Sequence, residues 1–307
     1  MALLKFNDTY KGVTNSPTME IKNRTMSKIF KLKEVERRVL FAEFAQAAYW
    51  NSAKAKTFGK SKGMTAHTLI DIEGAQVHVW HSNEDLIIGA RGTEPTEMND
   101  IYADLEVFKD DAFTGVGQIH QGFREEVDKV WDKVFGRVNK YGMKGKVAKK
   151  MWVCGHSLGG AMATLIASRL EYNAKEKFNN GMELVHSPIN GWDVDTLYTY
   201  GSPRVGGPVF SKWCDKHLNH QRFVNNNDVV PCVPSVLRWK HNGNCKYIMS
   251  TGEVTNLGRW SMKRIKDKGW SLLTTIIKGR LDIVADHNIQ DYIDHLTNDM
   301  EIKQVQR

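Results

Sequence analysis

No apolar stretch of about eighteen residues occurs in this chain, which excludes a spanning helix of ordinary length. The apolar patch in Met1-Ala2-Leu3-Leu4 is too short for a secretory signal, so the expectation is a cytoplasmic protein without leader or anchor. Cysteine is sparse: Cys154, Cys214, Cys232 and Cys245 are scattered through 307 residues. Their spacing fits neither a zinc site nor a dense disulfide framework, and it suits a reducing compartment. Cys154, in an apolar run, reads as a small buried residue. Internal repeats and low-complexity linkers are also missing, which removes solenoids and flexibly tethered modules. Neither a metal nor an organic cofactor is expected.

The sequence is 41% hydrophobic, enough for one large core. Residues 1–32 read as an irregular basic segment and residues 33–307 as a single domain. The net charge of +8 gathers in the first forty residues and in 259–280. Such charge attracts anionic membranes or nucleic acid without specifying either. No nucleic-acid recognition motif accompanies it, so nucleic acid is not expected as a partner.

Periodicity predicts a helix over 33–53, carried by Val35, Val39, Leu40, Phe44, Ala47 and Ala48. A hairpin follows, with strands at 65–71 and 75–81 around Glu73-Gly74, then a buried strand at 86–90. Val127, Val130, Trp131, Val134, Phe135 and Val138 define an amphipathic helix over 123–141. Strands at 195–200 and 221–225, helices at 207–218 and 288–298, and a strand-helix pair around residue 157 complete the pattern. Strands alternating with helices imply an α/β fold with a mostly parallel central sheet and helices on both faces.

The most informative stretch is Gly155-His156-Ser157-Leu158-Gly159, which ends the apolar run Met151-Trp152-Val153-Cys154 and opens the helical run 160–170. Strand, G-x-S-x-G and helix are in the order of a nucleophile elbow, which makes Ser157 the candidate nucleophile. A serine hydroxyl needs a histidine to take its proton and a carboxylate to orient that histidine. In Asn225-Asn226-Asn227-Asp228-Val229-Val230-Pro231, Asp228 follows a strand and would stand at the sheet's carboxyl edge. It reads equally well as a turn-forming aspartate. Downstream, His287 lies just before the last helix and competes with His295 inside it, while His217, His220 and His241 fit the order less well. An oxyanion hole needs two N–H groups. Leu158 would give one, and Thr93 in Ala90-Arg91-Gly92-Thr93 the other, unless that stretch is simply a strand-ending turn.

These motifs together resemble the class 3 lipases, the fungal-type triacylglycerol lipase family of α/β-hydrolases. The resemblance rests on Arg91-Gly92-Thr93 with Asp100 and Asp104, on His120-Gln121-Gly122-Phe123, and on Gly155-His156-Ser157-Leu158-Gly159-Gly160-Ala161. It continues through Tyr200-Gly201-Ser202-Pro203-Arg204-Val205-Gly206, Asn226-Asn227-Asp228-Val229-Val230-Pro231, and Asp286-His287 ahead of Tyr292. It implies an α/β-hydrolase fold, a Ser157–His287–Asp228 triad, Thr93 and Leu158 as oxyanion donors, and a lipid or small ester as substrate.

Family members often carry a lid between the oxyanion loop and the His-x-Gly-Phe motif, here residues 94–119. Ile101, Leu105 and Phe108 fall near helical spacing, but the acids among them favour a fixed, solvated loop. The segment 259–280 mixes tryptophans, aliphatics and cations. It can lie on an anionic membrane surface, although Gly269 and Gly279 favour two packing helices with a basic outer face.

Overall fold

The computed structural model describes residues 27–92, 109–111, 116–144, 147–179, 194–235, 237–256 and 287–305. Twelve strands run among them: β1 (Ala66–Ile72), β2 (Ala75–His81), β3 (Asp85–Ala90), β4 (Lys109–Asp111), β5 (Gln118–His120), β6 (Met143–Lys144), β7 (Val147–Ala148), β8 (Lys150–His156), β9 (Val194–Tyr200), β10 (His220–Asn225), β11 (Asn244–Ile248) and β12 (Val254–Thr255). The helices are α1 (Lys28–Lys31), α2 (Glu34–Ala47), α3 (Ser52–Ser61), α4 (Gln121–Tyr141), α5 (Leu158–Asn179), α6 (Pro208–His217) and α7 (Ile289–Val305).

Eight strands form the main sheet, in the order β1-β2-β3-β8-β9-β10-β11-β12. The contacts from β3 through β11 are parallel, and the outer pairs at both edges are antiparallel. This is the mostly parallel α/β sheet expected from the alternation of elements, and both its faces are covered. Alternation along β8 shows how. Met151 and Val153 turn to one face, where Val127, Val130, Val134 and Val138 of α4 and Leu165 and Ile166 of α5 bury them. Trp152 and Cys154 turn to the other, against Phe41 and Phe44 of α2 and Tyr292 and Leu296 of α7. Phe41 stacks on Tyr198 at 4.5 Å and lies 5.2 Å from Trp152.

The single helix expected over 33–53 is two. Asn51 accepts a hydrogen bond from Lys54 N at 2.9 Å and caps a new helix, α3. Its backbone reaches the hairpin, because Trp80 Nε1 donates to Ala55 O at 2.9 Å. An apolar repeat reports the buried face, not a change of axis, so it hides the break. Helix α7 is fastened to α2 by the buried pair Arg38–Asp299, and Asp299 also accepts from Val254 N at 3.0 Å. Tyr200 Oη donates to Arg38 O at 2.6 Å, joining the sheet to the same junction.

Of the expected lid interval, 109–111 and 116–119 fall among the described residues. Strand β4 pairs antiparallel with β5 there; the apolar stripe Ile101, Leu105, Phe108 lies outside them. So do the first 26 residues and the basic segment 259–280. No helix among the described residues is long and apolar enough to cross a membrane.

Candidate active site

Strand β8 delivers Ser157 at the carboxyl edge of the sheet, and α5 begins at the next residue. Ser157 has φ 57°, a left-handed backbone that side-chain-bearing residues rarely adopt. Two backbone hydrogen bonds hold it there, Ser157 N to Tyr200 O at 3.0 Å and Gly160 N to Ser157 O at 2.9 Å. The flanking glycines answer to sterics rather than to φ. A Cβ on Gly155 would stand 2.1 Å from Gly159 O, and one on Gly159 would stand 2.3 Å from Ala90 O. Strand, loop and helix therefore touch backbone to backbone around the serine.

Asp228 and His287 are brought together two strands further on, beyond β10. The Asn225-Asn226-Asn227 turn is shaped by its own side chains, with Asn226 N bonded to Asn225 Oδ1 and Asn227 N to Asn226 Oδ1. Asp228 is turn former and histidine partner at once. Its Oδ1 accepts from Val230 N at 2.9 Å in the turn, while Oδ2 accepts from His287 Nδ1 at 2.8 Å. Tyr292 Oη, one turn into α7, donates to the same Oδ2 at 2.6 Å and accepts from Asn225 N at 3.0 Å. A fully buried carboxylate is expensive without partners; here three donors share it.

Because the carboxylate can only accept, Nδ1 of His287 carries the hydrogen and Nε2 of the neutral ring is left with the lone pair. That Nε2 is buried and has no hydrogen-bond partner among the described residues. Ser157, Asp228 and His287 are respectively 1%, 0% and 2% exposed. His287 lies beside the elbow: a Cβ on Gly201, next to Tyr200, would fall 2.8 Å from its Cε1. The neighbouring His156 ring is 4.5 Å from the His287 ring.

The competing histidines are occupied elsewhere. His295 packs on α7 near Gly252, and His217 lies 4.6 Å from the Trp213 ring. His220 bonds Thr199 Oγ1 and Asn242 Nδ2, each at 2.8 Å, and burial followed by the Arg222 charge lowers its pKa to about 3. His241 Nε2 donates to Pro231 O at 2.7 Å, and burial first, then Arg222, holds its pKa well below the ordinary value.

Leu158 is the first residue of α5, where backbone N–H groups lack a carbonyl one turn back and the helix dipole is positive. The loop after β3 reaches the elbow at Gly92, whose added Cβ would stand 2.7 Å from His156 O. Thr93, the next residue, lies outside the described residues. Sequence pattern alone gives no role to Tyr292, Tyr49 or His156. Tyr292 is visible there only as a spacing after His287, because nothing linear shows that its hydroxyl returns to the acid. Arg204 is similarly silent in the sequence; its guanidinium donates to the carbonyls of Cys232 and Pro234, tying the loop after β9 to the loop that carries Asp228.

Residues 87–237 match the family model described as lipase (class 3). Over this stretch, just under half of its length, the chain is similar to the class 3 lipases. A secreted mono- and diacylglycerol lipase of Malassezia globosa is 26% identical over 169 residues, covering 52% of this chain and 50% of that protein. A lipase of Rhizomucor miehei is 31% identical over 173 residues, 55% of this chain and 43% of the relative. The chain thus spans about half the length of the curated relatives it matches. The crystal structure of a lipase from Rhizopus microsporus var. chinensis aligns with TM-score 0.53 and 23% identity, over 70% of this chain and 74% of that one. It shares the fold described above.

Proposed function

We propose that this chain is a serine carboxylester hydrolase of the class 3 lipase family, acting on lipid esters. The observation that carries the reading is the buried His287, bonded to Asp228 through Nδ1 and presenting, beside the strained serine elbow, an Nε2 with no partner among the described residues. In this reading His287 Nε2 takes the proton of Ser157 as Oγ attacks the ester carbonyl carbon. The tetrahedral oxyanion is held by the N–H groups of Leu158 and Thr93. His287, now cationic, gives its proton to the departing alcohol. Water then enters by the same proton path and cleaves the acyl-enzyme. Asp228 fixes the ring tautomer and stabilises its charged form, and Tyr292 and Val230 keep the carboxylate in place.

The names of the relatives, among them mono- and diacylglycerol lipases, support acylglycerols as the substrate class. Phospholipids cleaved in the manner of a phospholipase A1, and short soluble esters, are the rival substrates. A chain-length series with and without anionic vesicles separates them; activity confined to short monomeric esters and indifferent to vesicles rejects the lipid reading. We further propose that the basic segment 259–280 makes peripheral contact with an anionic membrane surface.

The test of the chemistry is Ser157→Ala. Hydrolysis of p-nitrophenyl butyrate and labelling by a fluorophosphonate should both disappear while the circular dichroism spectrum is retained. Undiminished turnover in that variant removes Ser157 from the mechanism.

A further inference from the structure

His156, the residue before the serine, is fully buried and turned toward the histidine of the site rather than away from it. Its Nε2 lies 2.7 Å from the backbone carbonyl of His287. A carbonyl only accepts, so Nε2 carries the hydrogen, and Nδ1 of the neutral ring must then accept. Its partner there is Tyr49 Oη at 3.0 Å, a hydroxyl that can donate. Both ends of the ring thereby have one assignment of hydrogens. Tyr49 stands in the turn after α2, and its hydroxyl is boxed in, since a Cβ on Gly92 would fall 2.3 Å from it.

We propose that Tyr49 and His156 are positioning residues for His287, a relay in which Tyr49 fixes the tautomer of His156 and His156 Nε2–H grips the His287 carbonyl. The inference rests on the serine hydrolase reading given above. Asp228 holds the far end of the same residue, at ring Nδ1. With the carbonyl and the ring both tethered, the Nε2 lone pair of His287 has one direction left to point.

The relay also explains why the neighbour of the base is an imidazole kept neutral. During the proposed reaction His287 becomes cationic, 4.5 Å from the His156 ring. A second cation there would oppose the charge that the mechanism must create. The groups facing His156 are Tyr49, His287 and the Tyr292 ring at 6.0 Å, with the Arg91 guanidinium 6.0 Å from the Tyr49 ring beyond. Asp228 meets His287 on its other side. Burial, followed by the nearby His287, holds the pKa of His156 well below the ordinary value.

The test uses the full chain carrying His156→Phe, His156→Gln or Tyr49→Phe, with rates expressed per site titrated by a fluorophosphonate so that misfolded protein is not counted. For p-nitrophenyl butyrate, kcat should fall roughly 10- to 100-fold in His156→Phe, as for a misplaced catalytic group, with KM little changed. Tyr49→Phe should lose about fivefold, the weight of one hydrogen bond. His156→Gln, which can return a donor to the His287 carbonyl, should recover part of the loss. The low-field proton resonance of His287 Nδ1–H should broaden in His156→Phe and return in His156→Gln.

A residue that only fills space would lower the titratable fraction and leave the rate per site and the resonance alone; that result overturns the proposal. If His156→Phe does not fold, an unchanged kcat in Tyr49→Phe overturns it instead. Wild-type protein that neither labels nor hydrolyses would bring down the hydrolase reading together with this inference, whereas active wild type beside unaffected variants refutes this inference alone.

Discussion

Acid should unfold this protein through its buried neutral histidines, and His220 allows the effect to be isolated. Its Nδ1 accepts from Asn242 and its Nε2 donates to Thr199, so the ring is matched to its partners only while neutral. Gly243, with φ 83°, packs against the ring, where an added Cβ would fall 2.5 Å from His220 Cγ. Burial and the Arg222 charge hold the pKa at about 3, against an unfolded value of 6.5. A depressed histidine pKa contributes stability that is fully present above pH 6.5, where neither state binds the proton. It is lost as pH falls from there toward 3, because only the unfolded chain takes the proton up. The slope is about 1.4 kcal/mol per pH unit, so the loss from this one ring reaches about 2 kcal/mol at pH 5. His78, lowered to about 3 by burial and then by His67 and Arg91, adds to the wild-type slope. The assay is urea unfolding of wild type and His220→Gln at pH 7.5, 6.5, 5.5 and 5.0. Glutamine can hydrogen-bond there without titrating. It should cost about 1 kcal/mol at pH 7.5, where a hydrogen bond is weakened, and overtake the wild type between pH 6.5 and 5.5, where the loss from the ring passes about 1 kcal/mol. A stability difference that stays constant over the whole range would refute the reasoning.

Two further expectations concern the site. Gly155→Ala places a methyl against the Gly159 carbonyl, backbone that cannot swing aside. We expect roughly 1–3 kcal/mol of destabilisation by thermal melting, and a larger fractional loss of fluorophosphonate labelling than of folded protein. Asp228→Asn should keep Val230 N bonded and the turn intact but lose the carboxylate partner of His287. The expected outcome is a fall in kcat of about 10³- to 10⁴-fold with the fold retained, read by steady-state kinetics and circular dichroism.

The order of strands and helices, the buried valines of α4 and the elbow are legible in the sequence because each is a local pattern with a physical period or a steric demand behind it. Glycines at 155 and 159 flanking a serine announce a cramped turn through their spacing alone. The split at Asn51 is not legible, since the apolar repeat runs up to the break and resumes after it. Strands β11 and β12 escape a linear reading because they are too short to show a period and gain their place from neighbours, β11 through its parallel register with β10. At the site, chain order alone can nominate Asp228 and His287 and disfavours His220, but it does not reject His241 or His295. What distinguishes them is the partner each ring finds, a long-range property. Tyr49 lies 107 residues from His156 in sequence, and no spacing rule connects a tyrosine there to a histidine beside a serine.

The fastening of α7 to α2 has a consequence for biosynthesis. His287 comes immediately before a helix whose anchor, Asp299, pairs with Arg38 close to the start of the described chain. A growing polypeptide that has already made the elbow and Asp228 therefore still lacks the proposed base. On the proposed mechanism the nascent protein stays chemically mute until α7 leaves the ribosome and closes the ring of contacts. Esterase turnover, once established, would double as a signal that synthesis and folding have both passed that helix.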